Sequence, residues 1–205
     1  MRNYRPHILV AAIVAIALLT NLPGTLRNDL ADLRFAWQSR AATGDVVVVA
    51  IDAPSIEQIG VWPWPRWLHA ELLQRLDAAG INDVAFDVDF STPSDPASDR
   101  AFVEALRRAG GSTVLPAFKQ PGADGVTYFN RPLPQFRDEA WTSVVNVTVE
   151  PDGLVRRYSF GQKLDAEFLP SMGAVLAGRF DADSPSFLID FSRIRKHRAP
   201  SSPTP

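Results

Sequence analysis

Apolar residues fall along this chain in continuous runs, at helical spacing and in strict alternation, and these patterns predict its elements. Ile8 to Leu19 is strictly apolar, and Thr20-Asn21-Leu22 extends the run before Pro23. Such a run suits a membrane helix, although spanning wants roughly 20 apolar residues with a lower limit near 17. Leu26, Leu30, Leu33 and Trp37 then recur at helical spacing, predicting a helix that leads on from the apolar segment. Asp45 to Asp52 encloses a continuous apolar run between two acids, the pattern of a strand buried on both faces. Two prolines keep Trp62-Pro63-Trp64-Pro65-Arg66-Trp67 out of a helix interior. Helical spacing resumes at Leu68, Leu72, Leu73 and Leu76, with Gly80 placed to cap the end. Asp83 to Phe90 predicts a second strand. Phe102, Ala105, Leu106 and Ala109 predict a helix that starts at Ser98 or Asp99 and ends at Gly110-Gly111, and Ser112 to Phe118 a third strand. Strand, helix and strand in that order predict parallel neighbours joined by right-handed crossovers.

The second half changes character. Residues 119–140 are rich in Gly and Pro and predict a loop. Val145, Val147 and Val149 alternate with polar residues, as do Leu154, Arg156, Tyr158 and Phe160, around a Glu150-Pro151-Asp152-Gly153 reversal. This predicts an antiparallel hairpin. Met172, Val175, Leu176 and Phe180 outline a last helix, and Ser186 to Phe191 a last strand. The predicted class is α/β: a mostly parallel β-α-β-α-β sheet with an added antiparallel hairpin, preceded by one transmembrane helix.

Charge sharpens the division into parts. The 205 residues hold 21 Lys and Arg against 23 Asp and Glu, a net charge of −2. Residues 1–22 carry Arg2 and Arg5 without an acid, and residues 193–205 carry four basic residues without an acid. The stretch 23–192 holds the remaining 15 basic residues and all 23 acids, a charge of −8. A nucleic-acid binder would need a positive excess on its body, so that class is excluded. Without a single Cys, disulfides, thiolate metal sites and cysteine nucleophiles are excluded too. For residues 1–22, a cleaved signal peptide, an uncleaved signal anchor and a buried core helix compete. The anchor is preferred: Thr20 to Thr25 is a poor cleavage site, and the run is apolar all round at the chain start. Residues 193–205 read as a disordered basic tail rich in Pro and Ser.

The run Val48-Val-Ala-Ile-Asp52, followed by Ser55-Ile56 and Gly60-Val61-Trp62-Pro63-Trp64-Pro65-Arg66, resembles the signature of the CHASE2 domain. Leu72-Leu73, Leu76, Ala79-Gly80, Ala85-Phe86-Asp87-Val88-Asp89-Phe90 and Asp99 match further. So do Asp152 to Arg157, Pro170-Ser171 and Leu188-Ile189-Asp190-Phe191. The resemblance covers roughly residues 23–192. It implies an extracytoplasmic (periplasmic) sensor module of a bacterial receptor, single-pass in the inner membrane. Such modules are usually followed by further spans and by a nucleotide cyclase, a diguanylate cyclase or a histidine kinase. Beyond the Ile-Asp-Phe strand the family pattern is replaced by Arg193-Ile-Arg-Lys-His-Arg198, which implies a sensor domain truncated at its C-terminus. The expected partners are the cytoplasmic membrane and an extracytoplasmic small-molecule or protein signal; a homodimer is compatible with this, and nucleic acid is not a partner.

Candidate chemistry centres on Asp52, Asp87 and Asp89, expected at the C-terminal ends of adjacent parallel strands, where open α/β sheets bind ligands. Three carboxylates in one crevice could hold a hard cation, but capping of helices and loop N–H groups explains them more simply. No metal or other cofactor is therefore assigned. Asp87-Val88-Asp89-Phe90-Ser91-Thr92 also resembles the nucleophile motif of haloacid-dehalogenase-type phosphatases. That metal-dependent hydrolase is the alternative, weakened by three lysines in all and no later acidic pair after a strand. Trp62, Trp64 and Arg66 could form an aromatic and cationic ligand wall, or a loop packed on the sheet with Arg66 paired to a carboxylate. A non-catalytic sensor is the leading reading, and a passive envelope interaction protein is the third.

Overall fold

The computed structural model describes residues 22–37, 43–164, 167–179 and 186–189, with Ala15 and Phe191. The expected membrane helix over 1–22 and the basic tail over 193–205 lie outside the described residues, apart from Ala15 and Leu22. The chain divides into two units, residues 1–49 with 190–205, and residues 50–189.

In the first unit, helix α1 spans Leu22–Trp37. It carries the predicted stripe, and Leu26, Leu30, Leu33 and Trp37 are all exposed. Among the described residues, no helix is long and apolar enough to cross a membrane. The valines of the expected first strand are not in a strand. Val46 to Val49 run without regular structure and are exposed, Val48 at 84%. Strand hydrogen bonds lie on a neighbouring chain segment, so a run of valines carries propensity without specifying a partner.

The second unit opens with a helix that the pattern did not predict, α2 (Ala53–Ile59). Asp52 caps it by accepting from Ser55 N–H at 3.0 Å, Pro54 stands in its first turn, and Gly60 closes it at φ 75°. Helix α3 (Arg66–Ala78) follows where expected. Strand β1 is short, Val84–Ala85, so the chain leaves the sheet before Asp87. Helix α4 (Pro96–Arg108) begins earlier than Ser98 or Asp99: Asp95 is the cap, accepting from Ser98 N–H at 2.9 Å.

Strand β2 (Thr113–Pro121) is the hub of the sheet. It pairs in parallel with β1 and with β4 (Trp141–Val144), and antiparallel with β3 (Thr127–Asn130). The expected loop over 119–140 therefore holds a β2–β3 hairpin and the short helix α5 (Pro134–Arg137). Gly125, at φ 77°, provides the reversal. The expected hairpin over 145–160 keeps its turn, with Gly153 N–H donating to Glu150 O at 2.9 Å, but not its ladder. Only Arg157–Tyr158 is strand (β5), and its partner is β8 (Phe187–Leu188), the predicted last strand in shortened form. A further antiparallel pair, β6 (Gly161–Leu164) with β7 (Glu167–Pro170), and helix α6 (Met172–Leu176) complete the unit.

The core lies between the two helices and the sheet. Ala70 and Leu73 of α3, Phe102, Ala105 and Leu106 of α4, Leu115 of β2 and Phe136 of α5 are buried together with Phe86 and Phe90. Phe90 and Phe102 stack with ring centres 4.8 Å apart, and Phe136 meets both edge-on.

Candidate functional site

A cleft of about 370 Å³ opens at the carboxyl ends of the three parallel strands. Residues Asp87 and Asp89 line it just beyond β1, Pro116 and Phe118 belong to β2, and Val145 and Asn146 follow β4. This is the edge of an open α/β sheet where helices and strands diverge and leave room for a ligand. Its walls are apolar, from Val88, Pro116, Phe118 and Val145. Its fixed polar groups are largely committed. The Asn146 amide accepts from Lys119 N–H at 2.6 Å and donates to Lys119 O at 3.1 Å, so a side chain prolongs the β2–β4 ladder. Asp89 accepts from Ser91 N–H at 2.7 Å, an Asx turn that bends the chain away from the sheet. The Lys119 ammonium lies 5.7 Å above the Phe129 ring.

The six candidates from the sequence part company here. Asp87 and Asp89 share the cleft. Asp52 does not line it. Two hydrogen bonds from Ser55, through its hydroxyl and its N–H, hold the Asp52 carboxyl below the usual carboxylate range. The crevice of three carboxylates is thereby corrected to two, and no group of three metal-ligating side chains occurs among the described residues.

Arg66 is turned inward, only 5% exposed at the start of α3. Its guanidinium lies over the Phe90 ring at 4.6 Å, and Nη2 donates to Thr92 O at 3.2 Å. Its Nε stands 4.0 Å from Oδ1 of Asp99, a buried residue in the first turn of α4. Burial pushes the Arg66 pKa down, and the charges of Asp99 and Asp89 push it back up. Trp64 is half-buried and meets Trp62 edge-on at 6.2 Å and His69 at 6.1 Å. Trp62 is 53% exposed, and the bond between it and Pro63 is cis. The aromatic segment thus packs through Trp64 onto α3, and it does not line the cleft.

Two residues without an assigned role carry weight in the structure. His69 is buried among Trp64, Phe86, Phe90 and Phe102, and desolvation together with Arg66 pushes its pKa down to about 4. Asp99 fixes the chain after the cleft by accepting from Ser94 N–H at 3.1 Å. A signal for His69 was present: Arg66, His69, Ala70 and Leu73 fall at i, i+3, i+4 and i+7 and form the buried face of α3. A larger open cleft, about 710 Å³, lies at the amino ends of β2 and β4 near Gly110 and Trp141. There Arg107 pairs with Glu139 and Glu104, and Arg131 with Glu167.

A three-stranded parallel core, helices packed on it and a cleft at its carboxyl edge define an α/β domain. The model of the CHASE2 domain family matches residues 8–201, and the chain belongs to that family. The match extends beyond residues 23–192 at both ends and runs into the basic tail. CHASE2 domains are extracytoplasmic sensor input modules and are not catalytic. No curated protein and no solved structure matches the chain.

Proposed function

We propose that this protein is the signal-sensing input domain of a bacterial transmembrane receptor, of the kind coupled to nucleotide cyclase, diguanylate cyclase or histidine kinase outputs. Residues 1–22 hold it in the cytoplasmic membrane, and residues 23–192 stand in the periplasm. The ligand occupies the Asp87–Asp89 cleft. The observation that carries this reading is the placement of that cleft at the carboxyl edge of the parallel strands, within a chain matched over residues 8–201 by a sensor family. Two carboxylates on apolar walls suit a small molecule that brings positive charge or several hydrogen-bond donors.

Thermal unfolding of the full chain against small molecules grouped by charge tests the site. A ligand at a hundred times its Kd stabilises by about 2.7 kcal/mol. The expected hit raises the midpoint of the wild type and not that of Asp87→Asn or Asp89→Asn. A hit that both variants retain overturns the cleft as the site. Turnover of a generic phosphate ester with Mg, lost in Asp87→Asn, would overturn the non-catalytic reading. Location is tested by reporter fusions after residue 192, which are expected to be active in the periplasm. Activity confined to the cytoplasm refutes the anchor.

A further inference from the structure

Helix α1 shows its apolar stripe to solvent: Leu26, Leu30, Leu33 and Trp37 are each at least half exposed, Trp37 at 82%. Single exposed leucines are ordinary, but four large apolar residues in line along 16 residues make a patch that burial would stabilise. Their spacing decides the kind of cover. Intervals of four, three and four residues are the d, a, d and a positions of a heptad, the narrow seam of a coiled coil and not the wider face of a helix packed in a domain. In this register Asn28 and Asp32 take the outer f and c positions, and Phe35 falls off the seam at f. Asp29 stands at g and Arg34 at e, five residues apart, and both are exposed. In a parallel, in-register pair a g residue meets the e residue five positions further along the other helix. Asp29 would then face Arg34 of a second copy on both sides of the seam. An antiparallel pair sets g against g and e against e, which brings like charges together.

We propose that α1 is a dimerisation helix whose partner is a second copy of this chain, in a parallel coiled coil with Leu26, Leu30, Leu33 and Trp37 at the interface. Two heptads alone are too few to hold free helices together in water, where a helix of this length is marginal. The proposed anchor supplies the missing concentration. Helix α1 continues the apolar run 8–22, so two anchored copies leave one membrane face in one direction, already parallel and close. The inference thus rests on the anchor and is independent of the cleft. Apolar burial supplies the attraction, and the Asp29–Arg34 pairs fix register and direction.

The chain has no Cys, so a single introduced Cys is its only thiol and reports one position. The full chain is expressed with Leu26→Cys or Leu33→Cys at d, and with Asn28→Cys or Asp32→Cys at f and c, and whole cells are oxidised with copper phenanthroline. Expected is a disulfide-linked dimer from both seam variants and little from the two outer ones. With Leu33→Cys in place, Asp29→Arg or Arg34→Asp is expected to lower the yield about tenfold, because two attractive pairs become repulsive. Combining the two changes in one chain restores the yield. So does coexpressing the two single charge variants, whose mixed pair has both charges matched. Equal yields at seam and outer positions overturn the proposal, and so does the absence of a dimer at both seam positions, which would assign the stripe to another cover. Yields that ignore the charge variants overturn the parallel register. Sedimentation of the chain with membranes is scored separately, so loss of the anchor and loss of the pair are told apart.

Discussion

Single side chains decide how acid acts on this domain. A buried imidazole among four aromatic rings, with Arg66 one turn away, resists protonation down to about pH 4. In the unfolded chain the same group takes its proton near pH 6.5. Between those values the unfolded state binds the extra proton, so stability falls as pH falls from 6.5 to about 4, and this group adds no further loss below that. The loss is about 2–3 kcal/mol over the window. Denaturant melts at pH 7 and pH 4.5 measure it, and His69→Phe is expected to flatten the difference. A variant as pH-sensitive as the wild type would remove His69 as the cause. Arg66 belongs to the same scale. The alternatives left open for it, a ligand wall or a packed loop with a carboxylate partner, resolve to Asp99, a residue singled out only as a helix start and a family match.

At the scale of elements, stability concentrates where α3 and α4 meet the aromatic residues after β1. Phe102 is fully buried and stacked on Phe90, so Phe102→Ala should cost about 3–5 kcal/mol in equilibrium unfolding. The first-strand valines provide a contrast. Val48 is 84% exposed, and Val48→Thr should change stability by less than about 0.5 kcal/mol. A loss of more than about 1 kcal/mol would mean that the run is buried as a strand after all. The longer helices were legible because their signals are local: the period of α3, and the apolar face of α4 with Gly110-Gly111 behind it; the short helices α2 and α5 were missed. Strands were less so. The hairpin at 145–160 had an alternating pattern and a good turn, yet Arg157–Tyr158 pairs with Phe187–Leu188, about 30 residues on. Strand β4 was missed because Trp141 to Val144 makes sense only beside β2.

For the whole molecule, the family match and the cleft support one reading at different resolutions. Membership carries the sensing role, and the cleft is the place proposed for it. The sequence placed Asp87 and Asp89 at a strand end and thereby located the site's acidic side. It could not supply the opposite wall. Val145 and Asn146 were assigned to a hairpin, and their place in the cleft depends on the parallel pairing of β4 with β2. Breaking the Asn146 bonds to Lys119 with Asn146→Ala should loosen that wall, read as faster amide exchange at Lys119 and Val145 while α3 stays protected. Exchange unchanged at both would show that the wall does not depend on the side-chain ladder.

What the sequence determined by itself was everything written in nearest neighbours: the apolar start, the acidic body and basic tail, the helical faces, the turn at Gly153, and the ordered motifs that mark the family. Each depends on residues a few positions apart, so periodicity and local hydrogen bonding suffice. Only the tertiary structure decided which strands pair, that Asp52 is a cap and not a wall of the crevice, and that Arg66 lies buried beside Asp99. Those outcomes depend on burial and on charges that meet across the fold, and neither is a property of spacing along a chain.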